Sequence, residues 1–327
     1  MNSSQSLPRL IFGILAVIVC LILSFRPIPS LYSDNDTGRY VDSLHLYCAG
    51  VEDARFHGKE ASFEFFYAVT SPACLVQSDG LFLLEVAFFS PLIFLLFVKW
   101  KEDTFLWACS ILFSMVGIEL MINAMRQGLS MLLLFGAIYA LKKNRLLAAS
   151  LGIMSAVAHS SVLFYTPFLL WLAGARVSKK TMRVIVGGIA ASCLLFSSYI
   201  VNFLQLTGDL DFFTQIYSDE SSVAFILYIT LPLIWVYGIR FFFERELISD
   251  GEKIGLIYSA ILLVICLFLF PAIYYRFAIL SVVLQIFLIN QSEKSSVKVA
   301  KYAFLGMFIH LLVMIFFSKN YLVLING

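Results

Sequence analysis

Residues 123–165 run NAMRQGLSMLLLFGAIYALKKNRLLAASLGIMSAVAHSSVLFY, and the alternation of polar and apolar blocks in this stretch decides the fold. Two apolar runs, about 127–141 and 145–158, flank the basic turn Lys142-Lys143-Asn144-Arg145. They are longer than ordinary strands and, wound as helices, come close to the roughly 30 Å of a bilayer's hydrocarbon. The pattern predicts a helical hairpin in a membrane. Basic residues concentrate in cytoplasmic turns, so the tip of the hairpin faces inward. Its two polar ends, Asn123-Ala124-Met125-Arg126-Gln127 and His159-Ser160-Ser161, then share the outer face.

The rest of the chain has the same character. Of 327 residues, 61% are hydrophobic and 13% charged, with mean hydropathy +0.90. A soluble domain is about 45–50% apolar and about 25% charged, so this chain cannot clothe a globule in polar surface. It is an integral membrane protein. Further apolar runs fall at roughly 10–25, 81–98, 104–122, 160–174, 184–205, 222–242, 254–271, 275–290 and 302–318. Several are shorter than the ~20 residues a straight span needs, which predicts spans bent or broken at Gly and Pro. The expected architecture is all-α, one polytopic bundle of about eleven spans over residues 1–327. Arg26-Pro27-Ile28-Pro29 follows the first run in place of a small-x-small cleavage site, so 10–25 is expected as a retained span, with a secretory signal as the alternative.

With the N-terminus inside and the spans alternating, sixteen of the 23 basic residues fall in inner loops. Arg26, Arg39, Arg55, Lys59, Arg126, Arg276 and Lys319 remain outside. The bias follows the positive-inside rule, and the reverse orientation breaks it in every inner loop. Ser62–Gln77 (SFEFFYAVTSPACLVQ) is apolar, yet a full crossing there would invert every later loop. A re-entrant or interfacial segment within a long outer loop, about 26–80, is expected instead. The net charge of +2 gives no sign of a nucleic-acid partner. Cys48 and Cys74 share the outer region, so a disulfide between them is open. Cys20, Cys109, Cys193 and Cys266 lie in apolar runs and are expected to pack.

Four outer clusters could carry chemistry. In Asp34-Asn35-Asp36-Thr37-Gly38-Arg39-Tyr40, carboxylates can accept sugar hydroxyls, hold a cation or act as a base; a solvated Asx turn is the alternative. Arg126 is not on the basic side and therefore needs a counter-charge, carbonyls or an anionic ligand. Guanidinium matches phosphate oxygens bidentately, and Asn123 and Gln127 add neutral donors. An Arg126–Glu119 pair that merely ties two helices is the alternative. His159 can serve as a base near pH 7 or donate to a developing charge, or simply bond a backbone carbonyl. Arg276 stands beside Tyr274 and Tyr275, which can stack on a sugar ring; snorkelling to headgroups is the competing explanation. Glu64 and Glu85 are weaker candidates, as neutralisers of an arginine. Together these suggest an outward cavity for a phosphate-bearing, hydroxyl-rich substrate, and the 16% aromatic content suggests an aromatic lining. The chain contains no glycine-rich phosphate loop and no HExxH, so neither nucleotide chemistry nor a metal is expected.

The 123–165 stretch resembles the signature of EpsG-like Wzy polymerases: N-x-x-R-Q, an apolar span, a basic inner turn, and an apolar run ending H-S-S. DNDTGRY resembles the family's Asp-x-x-x-Tyr element, with Asp36 and Tyr40 at the matching positions, although Asp34 also fits. SFEFFY is similar to its Glu-containing segment, through Glu64, and YYRF to its late Arg element. The resemblance spans nearly the whole chain. It implies a glycosyltransferase C-like fold and polymerisation of undecaprenyl-diphosphate-linked repeat units into O-antigen or exopolysaccharide at the periplasmic face of the bacterial inner membrane. It also implies Arg126, His159 and Asp36 as catalytic, with Asn123, Gln127, Arg276, Tyr40, Tyr274, Tyr275 and Glu64 binding substrate. Expected partners are the lipid-linked glycan donor and acceptor, membrane lipid and, optionally, a chain-length regulator protein; no cofactor or nucleic acid is expected. The competing functions are a lipid-linked oligosaccharide transporter or flippase, an O-antigen ligase and an O-acetyltransferase. No inverted repeat of the kind common in transporters is visible.

Overall fold

The computed structural model describes residues 3–26, 36–51, 60–76, 78–100, 103–122, 124–141, 143–159, 162, 178, 180–181, 183–184, 187–188, 191, 230–239, 260–261, 263, 277–284 and 297–317. Their regular structure is helical throughout. The chain divides into two compact units, Met1–Val162 with Ser295–Gly327, and Leu163–Lys294. The first holds α1 (Ser3–Ser24), α2 (Asp36–Cys48), α3 (Glu60–Val69), α4 (Pro72–Val76), α5 (Asp79–Phe97), α6 (Thr104–Leu112), α7 (Met115–Ile122), α8 (Met125–Leu141), α9 (Arg145–Ala158) and α10 (Val297–Phe317). The second shows helix at Thr230–Ile239 and at 277–284, the latter buried along its length.

Among the described residues, three helices are long and apolar enough to cross a membrane: Ser6–Ser24, Asp79–Phe97 and Val297–Ile315. The pair α6–α7, bent by 60° between its halves, is apolar enough to make a fourth crossing if it acts as one broken span, and is otherwise a re-entrant loop. At 17 and 14 residues, α8 and α9 reach about 25 and 21 Å at 1.5 Å per residue. The expected runs at 160–174, 184–205, 222–242, 254–271 and 275–290 fall wholly or in part outside the described residues. The Ser62–Gln77 segment is not one helix. It breaks at Thr70-Ser71 into α3 and α4, of 10 and 5 residues, neither long enough to cross.

The bend in the third apolar run has a local cause. Ser114 caps α7 by accepting from the Gly117 N–H at 3.1 Å, while its own hydroxyl donates to the Ile111 carbonyl at 2.8 Å. This closeness of the two helix ends leaves no space at Gly117, where a Cβ would run into the Ile111 carbonyl. Two other helix starts are capped by side chains of the preferred N-cap types. Ser78 accepts from Leu81 N–H at the start of α5, and Asn144 accepts from Leu147 N–H at the start of α9.

Helix directions follow from contacts at both ends. Arg9 Nη2 donates to the Leu95 carbonyl at 2.6 Å, whereas Gly80 adjoins the Ser24 carbonyl, so α1 and α5 are antiparallel. Gly128 lies against Phe89 and Gly136 against Phe97, so α5 and α8 are parallel. The basic turn then reverses the chain into α9, where Ser130 and Ser155 exchange hydroxyl-to-carbonyl bonds of 2.7 Å in each direction. Such bonds are valuable between helices that have no water to turn to. One end of this unit gathers Arg9, Leu95, Tyr139 and Lys143; the other gathers Arg26, Ile122, Arg126 and His159.

A cluster of buried side chains lies beneath that second end. It joins Val41 and Leu44 of α2, Phe66 and Tyr67 of α3, Phe82, Leu83, Val86 and Phe89 of α5, Met125 and Leu129 of α8, and Ala158 of α9. Phe66, Tyr67 and Phe82 meet one another at ring-centroid distances of 5.4–6.4 Å. Aromatic pairs of this kind add about 0.5–1.5 kcal/mol each beyond burial, which fixes α3 as a roof over the start of α8.

Candidate functional site

Arg126 lies in the first turn of α8 and is 8% exposed. Its Nε donates to the Tyr40 hydroxyl at 3.0 Å, and its Nη1 donates to Ser62 Oγ at 2.9 Å. Its Cζ stands 3.8 Å from the centroid of the Phe63 ring, a cation–π contact. Ser62 Oγ in turn donates to the Ala158 carbonyl at 3.0 Å, the last carbonyl of α9 and the one next to His159. Four elements therefore converge on one guanidinium: α2 through Tyr40, α3 through Ser62 and Phe63, α8 itself, and the end of α9.

Local sequence explains the convergence. On α3, positions 62, 63, 66 and 67 fall on one helical face; it carries Ser62, Phe63, Phe66 and Tyr67, the last two fully buried. Glu64 projects from another face and is exposed. On α2, Tyr40 packs its ring on Phe63 and Phe66 at 6.0 and 5.5 Å, and its backbone carbonyl accepts from the Tyr67 hydroxyl at 3.2 Å. The phenol oxygen is thereby held on the guanidinium.

The electrostatics set Arg126 apart from its neighbour Arg26. Arg26, 9% exposed, donates through Nη1 to the Leu23 carbonyl at 2.6 Å and through Nη2 to Thr37 Oγ1 at 3.1 Å and the Ile122 carbonyl at 3.5 Å. Burial pushes its guanidinium down to about 10, and the Glu119 carboxylate works in the opposite direction. Glu119, which the sequence offered as a partner for Arg126, thus supports the charge of Arg26. The polar partners of Arg126 among the described residues are two neutral hydroxyls. Of five N–H donors on a guanidinium, two are engaged there, so among the described residues the Nη2 edge has no acceptor. A helix N-terminus also favours an anion over a cation.

His159 is 9% exposed and caps α9 in an extended conformation, its backbone N–H donating to the Ser155 carbonyl at 3.0 Å. Gln127, 1% exposed, neighbours Arg126 in α8. The fold thus brings Arg126, Tyr40 and the end of α9 together and turns Glu64 away. Asp36 opens α2 one turn before Tyr40, with its side chain outside the described residues, as are Asn123, Tyr274, Tyr275 and Arg276 altogether. Ser62, Phe63 and Arg26 are contributions that sequence reasoning missed. The α3 face was the available signal for the first two; Arg26 was counted only as an outer charge.

At the far end of α2, Cys48 and Cys74 form a disulfide with Cα atoms 5.4 Å apart, tying α2 to α4. Beside it, His45 Nε2 lies 2.6 Å from Asp79 Oδ1 at the mouth of an open cleft of about 390 Å³. Exposed ion pairs contribute little, so the disulfide is the stronger tie. Among the described residues, no group of three or more His, Cys, Asp or Glu is placed to hold a metal ion.

Comparison with known proteins finds no match among curated proteins and none among solved structures. The model of the EpsG family matches residues 9–325, nearly the whole chain, and the chain belongs to that family.

Proposed function

We propose that this EpsG-family protein polymerises oligosaccharide repeat units carried on undecaprenyl diphosphate into O-antigen or exopolysaccharide, as a glycosyltransferase at the periplasmic face of the inner membrane. The observation that carries this is Arg126: a buried guanidinium held by neutral oxygens and a π face, with donors to spare at a helix N-terminus. A buried cation so placed is best compensated by an anionic ligand, and a diphosphate is the anion its geometry suits.

In the reaction, an acceptor-sugar hydroxyl attacks the anomeric carbon of the donor, the bond from that carbon to the phosphate oxygen breaks, and undecaprenyl diphosphate leaves. Arg126, with Arg276 as partner, stabilises the charge growing on the leaving group, where preorganised donors in a water-poor site act most strongly. His159 or Asp36 accepts the hydroxyl proton. Asn123 and Gln127 add donors to the diphosphate, and Tyr40, Tyr274 and Tyr275 line the glycan path. A glycosyltransferase C-like bundle of about eleven spans, with the 26–80 loop outside and one domain over the chain, is the architecture proposed for it; membrane lipid and a chain-length regulator are its proposed partners. The Cys48–Cys74 disulfide supports the outward placement, because disulfides persist in the periplasm and are reduced in the cytosol.

The test is complementation of a strain lacking this gene. Arg126→Ala is expected to leave lipid A–core bearing a single repeat unit and no ladder on a silver-stained gel. A normal ladder overturns the proposal, loss of even the first repeat unit indicates a ligase, and repeat units retained on the cytoplasmic leaflet indicate a transporter.

A further inference from the structure

We propose that Ser62 is the positioning residue that sets Arg126 for leaving-group stabilisation and couples it to the turn carrying His159; this rests on the polymerase function above. Ser62 Oγ has one proton and two lone pairs. The proton goes to the Ala158 carbonyl at 3.0 Å, an acceptor that the end of α9 leaves without an intrahelical partner. That bond fixes the hydroxyl's rotation and turns a lone pair to Arg126 Nη1, 2.9 Å away. One oxygen therefore relates the guanidinium, on α8, to the residue immediately before His159, on α9. Ser62 belongs to α3, from the outer loop, so docking of that helix completes the arrangement.

The alternatives for Ser62 are a solvated loop hydroxyl or a pure cap for α9. The first is excluded by two bonds in different directions to residues 64 and 96 positions away. The second predicts no effect on turnover per folded molecule. A guanidinium freed on its Nη1 side can shift by about an ångström, a displacement that costs on the order of 100-fold when transition-state charge is at stake. The loss belongs to kcat, because the interaction strengthens as the charge develops.

Purified protein in liposomes, given undecaprenyl-diphosphate repeat units extracted from the deletion strain, supplies the measurement. Ser62→Ala is expected to lower kcat by about 10- to 100-fold, with KM for the extracted donor changed by no more than about twofold. Ser62→Thr keeps the hydroxyl and is expected to restore turnover. Elution from a sizing column and the oxidised Cys48–Cys74 pair establish folding in each variant. Should the Ala variant fail to accumulate, Ser62→Cys, similar in size and a weak hydrogen-bonding group, makes the same comparison. Wild-type kcat in Ser62→Ala beside an inactive Arg126→Ala overturns the role of Ser62 and leaves the polymerase standing. Equal losses in the Ala and Thr variants overturn it too, since the hydroxyl is then not what matters. Full activity in Arg126→Ala overturns the polymerase site itself.

Discussion

Two arginines buried at one end of a helical unit behave differently because of what surrounds each. Arg26 has the Glu119 carboxylate in electrostatic reach, a threonine hydroxyl and two backbone carbonyls, so its charge is a structural one. Its guanidinium, at about 10, is protonated at neutral pH and contributes its charge there; that charge is lost only as pH rises through about 10. Arg26→Ala removes the guanidinium that donates to the Leu23 and Ile122 carbonyls and to Thr37, and should cost about 1–3 kcal/mol, visible as a lower melting temperature in detergent. A melting temperature equal to the parent's would show that these hydrogen bonds add nothing to the stability of the fold. Arg126 was singled out in the sequence because the expected topology placed it away from the basic side. Its partners were not: Tyr40 and Ser62 lie 86 and 64 positions away in the chain.

Individual helices record a similar division. Ser78 and Asn144 cap α5 and α9 by a local pattern, each accepting from the N–H three residues downstream. The bend between α6 and α7 was foreseeable only in kind. Gly117 permits the Ile111 carbonyl to approach, and Gly117→Ala is expected to destabilise the unit by about 1–3 kcal/mol. An unchanged thermal midpoint would mean that the two halves can separate without loss. In the α8–α9 hairpin, the reciprocal Ser130–Ser155 bonds are worth about 0.6 kcal/mol on average and up to about 1.7 by the record of other membrane helices. Ser130→Ala and Ser155→Ala, combined in a double-mutant cycle, should therefore fall short of additivity by that amount. On α3, the helical face of Ser62, Phe63, Phe66 and Tyr67 was written in the spacing, and Glu64 drew attention away from it by being the charged member.

Over nearly the whole chain the EpsG family model matches, as the motifs implied, and among the described residues the regular structure is helical and apolar, as composition demanded. The 26-residue separation closed by Cys48–Cys74 should contribute about 3.5 kcal/mol by restricting the unfolded loop. In intact spheroplasts, a membrane-impermeant maleimide should label Cys48 only after reduction; labelling that requires permeabilised membranes would reverse the proposed sidedness. The sequence by itself determined that the chain is a membrane protein, and its alternation of apolar runs and basic turns predicted the relative directions of α1, α5, α8 and α9 that the contacts show. Both depend on local quantities, the apolarity of each run and the sign of each turn, which add along the chain without reference to distant residues. Only the tertiary structure decided that Glu119 serves Arg26, that Tyr40 and Ser62 grip Arg126, and that Glu64 faces away. These depend on packing angles between helices far apart in sequence, and a charge buried in low dielectric is defined by the few atoms that packing places within about 4 Å of it.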